Sequence, residues 1–513
     1  MEVKNRRYAL SWQKPKIERF QPVFFPSFLL LFILRALLVY LSPLSLSQDE
    51  AQYWDWSRNL DLSYYSKGPV IAYLIRGTTY VLGDTEYGVR AVGLVSSLLF
   101  SLAWYVFVKS IYGEKLAFLS WAVIETSVLF SSQSLLATTD APFSFFFLLA
   151  LLSLYQLFIR RRPSFWPPFF VFLGLAVLTK YTALLILVSL CALFFLEKEF
   201  RKLFLSPFFF FGVIVFAILL SPIIIWNVEH SFANFSHNAD HVNAFKDGGL
   251  TLRYFFELIG GQIGLFGLFA VFALALVVKQ SITLAWRGDT ISKLWLSTLL
   301  PLLFLCVFVS FGKRVYANWP MPLYLSLMLL MVHLLSVSDT QSKKIEGLFK
   351  VGIALNLFFL AFSYSCFLGQ TYSIPGNILP TKKLFGWREA GEHVSTLLTQ
   401  YEKDSPVLIA DSYGNASALT FYVKGRPRTY CANTDNRRMN QYDIWGGWEK
   451  LEGRNAVIVL RAEDAISSLK PYFSEIVPLS SFQTTYSGKV IREFFVFFGK
   501  NYSGSDPPAP HAR

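Results

Sequence analysis

The chain has 513 residues, 54% of them hydrophobic and only 16% charged, with 51 phenylalanines and a formal net charge of +13. Its mean hydropathy is +0.43. Soluble chains carry about a quarter charged residues, so this composition excludes a soluble multidomain protein, and many apolar runs are about as long as a bilayer is thick.

In chain order, a basic N-terminal stretch (Lys4, Arg6, Arg7, Lys14, Lys16, Arg19) precedes the first apolar run. That run is long and lacks a small-residue cleavage site, so it reads as a permanent first helix. Membrane spans are predicted over 22–41, 88–108, 116–133, 141–159, 165–179, 181–196, 203–226, 254–278, 294–311, 319–336 and 348–367, about eleven in all. Positive charge sets the orientation. The N-terminus and the loops Lys109–Lys115, Arg160–Arg162, Lys198–Lys202, Lys279–Lys293 and Lys343–Lys350 face the cytoplasm. The loops 42–87, 134–140, 227–253 and 312–318, and the surroundings of Lys180, then face outward.

Everything after about residue 367 is outward too, and its character changes. Short apolar runs at 407–410 and 457–460 alternate with helix-like stretches such as 387–403, which predicts a small α/β domain over 368–502. The tail from Ser503 is rich in Pro, Ser and Gly and reads as disordered. Cys191, Cys306, Cys366 and Cys431 form no CxxC pair, so neither a disulfide framework nor a zinc site is indicated. Asn234-Phe235-Ser236 and Asn501-Tyr502-Ser503 match the glycosylation sequon. The basic charge flanks apolar runs, and no basic helix or zinc pattern points to nucleic acid.

The first outward loop reads Ser47-Gln48-Asp49-Glu50-Ala51-Gln52-Tyr53-Trp54-Asp55-Trp56. A carboxylate directly after a span can act as general base on a hydroxyl that reaches the interface. The alternative is a helix cap with Tyr53, Trp54 and Trp56 as an aromatic belt. The two roles are compatible for adjacent acids. Lys67 can hold a phosphate oxygen or simply snorkel. Asp140 starts a span on the same side, where capping is the competing explanation. Arg90 is either an anchor or, if it faces the bundle interior, functional. Lys180 and the pair Lys313-Arg314 bring further cations to that face. The 227–243 loop carries Asn227, Glu229, His230, His237, Asp240 and His241; a divalent metal there is possible, but the spacings match no standard ligand set.

Taken in order, Asp49-Glu50-Ala51-Gln52-Tyr53-Trp54, Tyr64-Tyr65-Ser66-Lys67-Gly68-Pro69, Thr139-Asp140-Ala141-Pro142, Lys180-Tyr181-Thr182, Trp226-Asn227, Ala317-Asn318-Trp319-Pro320 and Asn440-Gln441-Tyr442-Asp443 carry a family pattern. Along nearly its whole length the chain resembles the bacterial glycosyltransferases related to dolichyl-phosphate-mannose–protein mannosyltransferases. These include lipid A aminoarabinose transferases and lipopolysaccharide galacturonosyltransferases. The resemblance implies a mainly α membrane protein of GT-C fold in the bacterial inner membrane, with a periplasmic site and an inverting reaction.

It further implies a polyprenyl-phosphate-linked sugar as donor and a glycolipid or protein as acceptor. Asp49 is the expected base, with Glu50 and Asp140 as companion acids. Lys67, Arg90, Lys180, Lys313 and Arg314 are expected phosphate contacts, and Tyr53, Tyr65, Asn227, Asn318 and Tyr442 expected substrate contacts. The chain departs from its relatives at Ser66, where many carry an acid or His, and at Gly68, where many carry a second Pro. A polar-lipid transporter or flippase is the rival expectation. It requires ionisable groups near mid-membrane and access from both sides, whereas the charged candidates here gather at one face.

Overall fold

The computed structural model describes residues 21–243, 249–337, 339–369, 381–432, 434, 439–486 and 489–504. The basic N-terminal stretch, Arg437-Arg438 and the tail after Gly504 lie outside the described residues. The first part of the chain is helical: α1 (Gln21–Leu41), α2 (Gln48–Arg58), α3 (Val70–Leu82), α4 (Glu86–Tyr112), α5 (Glu114–Thr126), α6 (Val128–Leu135), α7 (Asp140–Phe158), α8 (Trp166–Thr179) and α9 (Leu185–Leu196). It continues with α10 (Lys198–Arg201), α11 (Pro207–Glu229), α12 (Ala233–Val242), α13 (Arg253–Phe266), α14 (Leu268–Trp286), α15 (Thr290–Ser310), α16 (Met321–Val337) and α17 (Asp339–Phe367).

Among the described residues, six helices are long and apolar enough to cross a membrane, and a bent pair makes a seventh. The remaining expected spans are shorter or interrupted. The stretches 165–179 and 181–196 are short apolar helices separated at Lys180. The single span expected over 254–278 is two helices, α13 and α14, parted at Gly267 with φ +98°. The span expected over 116–133 is the bent pair, α5 and α6, which meet at 67°.

That bend has a physical cause. Ser127 is extended and its hydroxyl caps α6 by accepting from Phe130 N–H. The last carbonyls of α5 then need donors inside an apolar bundle. Arg35 of α1 supplies one, donating to the Glu125 carbonyl at 2.8 Å and to the Glu125 carboxylate at 2.5 Å. Its Nε donates to the Tyr364 hydroxyl of α17 at 2.9 Å. The interior around these elements is packed with large aromatics, among them Phe100, Trp104, Phe130, Tyr155, Trp166 and Trp295.

After α17 come α18 (Trp387–Gln400), β1 (Val407–Ala410), α19 (Tyr413–Tyr422), β2 (Thr429–Cys431), α20 (Gln441–Trp445), β3 (Ala456–Leu460), β4 (Phe473–Tyr486) and β5 (Lys489–Tyr502). The sheet order is β2-β1-β3-β5-β4. The strands β2, β1 and β3 are parallel, while β5 and β4 run antiparallel. All five residues of β3 are buried, as expected for a central strand covered on both faces. The two short apolar runs of the sequence are β1 and β3, and the helix-like stretch from 387 is α18. One end of this sheet unit rests on α2: the backbone of α19 comes so close that a Cβ on Gly414 would lie 2.5 Å from the Gln48 side chain.

Candidate active site

The site begins with the cap of α2. Ser47 accepts from Glu50 N–H at 3.2 Å, and the Glu50 carboxylate accepts from Ser47 N–H at 2.8 Å. This reciprocal capping box fixes the first turn and sends the two neighbouring acids in different directions. Glu50 is fully buried and paired with Arg90 of α4 at 3.0 Å, and it accepts from Ala137 N–H at 3.0 Å. Asp49 is exposed.

Arg90 is equally buried and donates as well to the carbonyls of Leu44 and Ser45. Its guanidinium and the Glu50 carboxylate, expected at phosphate and in catalysis, are engaged here by each other and by the first loop. The aromatic belt is also revised: Trp54 and Trp56 are wholly buried, with Trp54 donating to Asp84 at 2.8 Å and Trp56 stacked on Tyr64.

Beyond α2 the loop turns back at Gly68. A Cβ there would stand 2.0 Å from the Leu178 carbonyl oxygen at the end of α8, so only glycine permits this approach. The turn is held by Asn234 of α12, which donates to the carbonyls of Tyr64 at 2.5 Å and Lys67 at 3.4 Å. The Asn234 amide oxygen accepts from the Tyr181 hydroxyl at 2.5 Å. Asn234 is fully buried, which removes it as a glycan acceptor and makes it a fixing element that the sequence pattern did not reveal.

The result is that Lys67 stands beside Lys180, Asp140 and Asp49. The residue is partly buried and, among the described residues, makes no ion pair. Burial lowers its pKa from the usual lysine value, and the neighbouring Lys180 lowers it further, while Asp140 and Asp49 partly offset this. Lys180 and Asp140 form an ion pair at 2.8 Å, and Asn318 donates to the other Asp140 oxygen at 2.7 Å. Tyr53 is buried between the two acids. Burial foremost, then Asp49, then Tyr413 and Asp140 hold its phenol proton on well beyond the usual tyrosine range.

Other predicted groups lie at the rim or elsewhere. Lys313 donates to the Asp240 carbonyl at 2.9 Å, and the exposed Arg314 pairs with Glu257 at 3.3 Å. Tyr65 packs its ring on His237 at 4.7 Å and donates its backbone N–H to Gln441 at 2.7 Å. Asn227 is buried inside the α11–α12 turn, donating to the Ile223 carbonyl and accepting from Phe235 N–H. Both ends of its amide, expected at the substrate, are engaged within that turn. Tyr442 is likewise buried, donating to Asp55 of α2 at 2.8 Å, which locks the sheet unit to α2 instead of facing a ligand. Burial pushes the Asp55 carboxyl up to about 6 despite this hydrogen bond and the nearby Arg58.

The His237 and His241 ring nitrogens approach to 3.2 Å. Among the described residues no three His, Cys, Asp or Glu side chains converge as a metal-holding group.

Exposed carboxylate, unpaired ammonium and an Asp–Lys–Asn cluster thus converge at one end of a helical membrane bundle. Residues 66–226 match the family model described as dolichyl-phosphate-mannose-protein mannosyltransferase. The whole fold matches ArnT from Cupriavidus metallidurans. In its apo state the TM-score is 0.62 at 16% identity, covering 92% of this chain and 98% of that one. Bound to undecaprenyl phosphate, the score is 0.63 at 15% identity, covering 93% and 98%. The chain is a glycosyltransferase, similar over residues 66–226 to the dolichyl-phosphate-mannose-protein mannosyltransferases and in its fold to ArnT.

Among curated proteins, the chain is similar to the lipid A galacturonosyltransferase RgtD of Rhizobium johnstonii. The two are 29% identical over 383 residues, which is 73% of this chain and 77% of the relative. A shorter likeness, 25% identity over 155 residues, links it to an uncharacterised protein of Aquifex aeolicus, covering 30% of this chain and 31% of that protein.

Proposed function

We propose that the chain transfers a sugar from a polyprenyl-phosphate carrier to lipid A or a related envelope glycolipid at the outer face of the inner membrane, with inversion at the anomeric carbon. In this reading the membrane part is 1–367, and 368–502 forms a periplasmic domain. The observation that carries it is the unpaired ammonium of Lys67, flanked by Asp49 and Asp140 where Lys180 is already paired. An anion is the natural partner for such a group. The likeness to RgtD and to ArnT supports a lipid-borne donor and a glycolipid acceptor.

The chemistry follows from the charges. The acceptor hydroxyl attacks the anomeric carbon from the face opposite the phosphate. Its proton passes to the Asp49 carboxylate as the new C–O bond forms. The old C–O bond breaks with its electron pair on the phosphate oxygen, and Lys67 stabilises the charge that grows there. A phosphate leaves as an anion, so no general acid is required on that side. The pair of carboxylic groups that glycoside hydrolases use reduces to one base and one cation. The Asp140–Lys180–Asn318 cluster, its polar groups bonded to one another, shapes the wall against which the sugar lies.

The test is transfer from undecaprenyl-phosphate-linked galacturonic acid to synthetic lipid A by purified protein. Asp49→Asn is expected to fold normally and lose at least about a hundredfold in turnover, the lower range for a general base. A fully active variant removes Asp49 from the base role.

A further inference from the structure

The membrane helices alone do not complete the surroundings of Asp49. The opposite wall comes from the sheet domain, through the first turn of α19. The Ser412 hydroxyl caps that turn by accepting from Asn415 N–H at 3.4 Å. The turn is bolted to α2: Gln48 donates to Asn415 at 3.2 Å, and Ser417 donates to the Gln48 carbonyl at 3.2 Å. Gly414 allows the two helices to touch, as its missing Cβ shows.

This places the Tyr413 hydroxyl 3.5 Å from Asp49 Oδ1. Burial foremost, then the adjacent Asp49 carboxylate, keep the Tyr413 phenol protonated beyond the usual tyrosine range. The group is a donor aimed at an acceptor. Tyr413 is still 38% exposed, so it borders the open side of the site instead of lying in the core. Tyr316, from the loop that also delivers Asn318 to Asp140, stands near it.

We propose that Tyr413 is a positioning residue for glycosyl transfer: its hydroxyl donates to Asp49 Oδ1 and turns Oδ2 toward the acceptor hydroxyl. The proposal rests on the reading of Asp49 as base. The hydrogen bond is long for an O–H···O pair, and catalytic hydrogen bonds commonly shorten when substrate closes the site. Tyr413 keeps its own proton throughout; the acceptor proton goes to Asp49. The sheet domain thereby contributes a working part of a site otherwise built by the membrane helices.

The experiment compares wild type, Tyr413→Phe and Asp49→Asn with undecaprenyl-phosphate-linked galacturonic acid and synthetic lipid A. Each protein is also followed by thermal unfolding in detergent. Tyr413→Phe is expected to lower kcat about tenfold, as loss of orientation does, with both KM values within about twofold and an unchanged unfolding midpoint. A merely structural tyrosine would lower the midpoint and leave the kcat of the folded fraction intact. Unchanged kcat in Tyr413→Phe with an inactive Asp49→Asn overturns the positioning role and leaves the base in place. A rise in acceptor KM alone overturns it too, by making Tyr413 a binding group. An active Asp49→Asn removes the base and the proposal together.

Discussion

Asp49 and Glu50 are neighbours in sequence, yet the capping box of α2 turns one to solvent and the other into a buried pair with Arg90. Lys67 and Lys180 diverge in the same way: among the described residues, Lys180 has a carboxylate at contact distance and Lys67 has none. This difference has a pH signature. The ammonium must be protonated to hold a phosphate, and burial with Lys180 lowers its pKa from 10.5. Affinity for undecaprenyl phosphate therefore falls as pH rises through that lowered value. Lys67→Arg, which stays charged throughout, should keep binding flat over the same range. Native mass spectrometry or tryptophan quenching across the range below about pH 10.5 reads the difference; a wild-type curve as flat as that of the arginine variant would detach Lys67 from the phosphate.

Among the elements, the kink between α5 and α6 matters most for the site, because α6 leads to the turn at Ala137 that meets Glu50 and then to Asp140 at the start of α7. The kink is held by a charge pair within the bundle, Arg35 with Glu125. Removing one partner of a buried pair leaves the other charge unsatisfied and costs about 3–5 kcal/mol, whereas replacing both by apolar groups is often neutral. Arg35→Met should therefore lower the unfolding midpoint strongly, and Arg35→Met with Glu125→Met should recover most of the loss. A single variant as stable as wild type would show that the bend is set by packing alone. None of this could be read beforehand: an arginine inside an apolar run and an acid 90 residues away give no sign of pairing. The helices themselves were legible because apolar composition declares them. Their breaks at Ser127 and Gly267 were not, because a serine or glycine in an apolar run is compatible with an unbroken helix.

For the whole molecule, the decisive contact is between α2 and the sheet domain. Asp55 lies in that contact, bonded by Tyr442, with its carboxyl pushed up to about 6. An acid with a higher pKa in the folded state binds its proton more tightly there. Its contribution to stability is thus largest at low pH and declines as pH rises from about 4, the unfolded value, to about 6, then levels off. The unfolding midpoint of the wild type should therefore fall across this window relative to Asp55→Asn, which lacks the titration. Parallel curves for the two proteins would contradict the buried position of Asp55.

The order of acids and lysines along the chain carried the membrane side of the candidate site. It also carried the strands β1 and β3. It did not show that residues 413–445 reach across to 46–65, because the partners are some 370 positions apart and their side chains, a tyrosine, an asparagine and two glutamines, look like ordinary surface groups. For Tyr442 and Asn227 nothing in the sequence showed that each side chain hydrogen-bonds within the scaffold. Motif order reports nearness to the site, whereas burial decides whether a side chain meets a ligand or its own scaffold.

The bridge between α2 and α19 also bears on biogenesis. The segment bearing Asp49 leaves the ribosome 364 residues ahead of the tyrosine that faces it. Translocon insertion can seat the early helices one after another. The nascent polypeptide nonetheless has no finished reaction chamber until the sheet unit has folded against α2. A nascent chain that stops before Tyr413 therefore lacks the wall that faces Asp49.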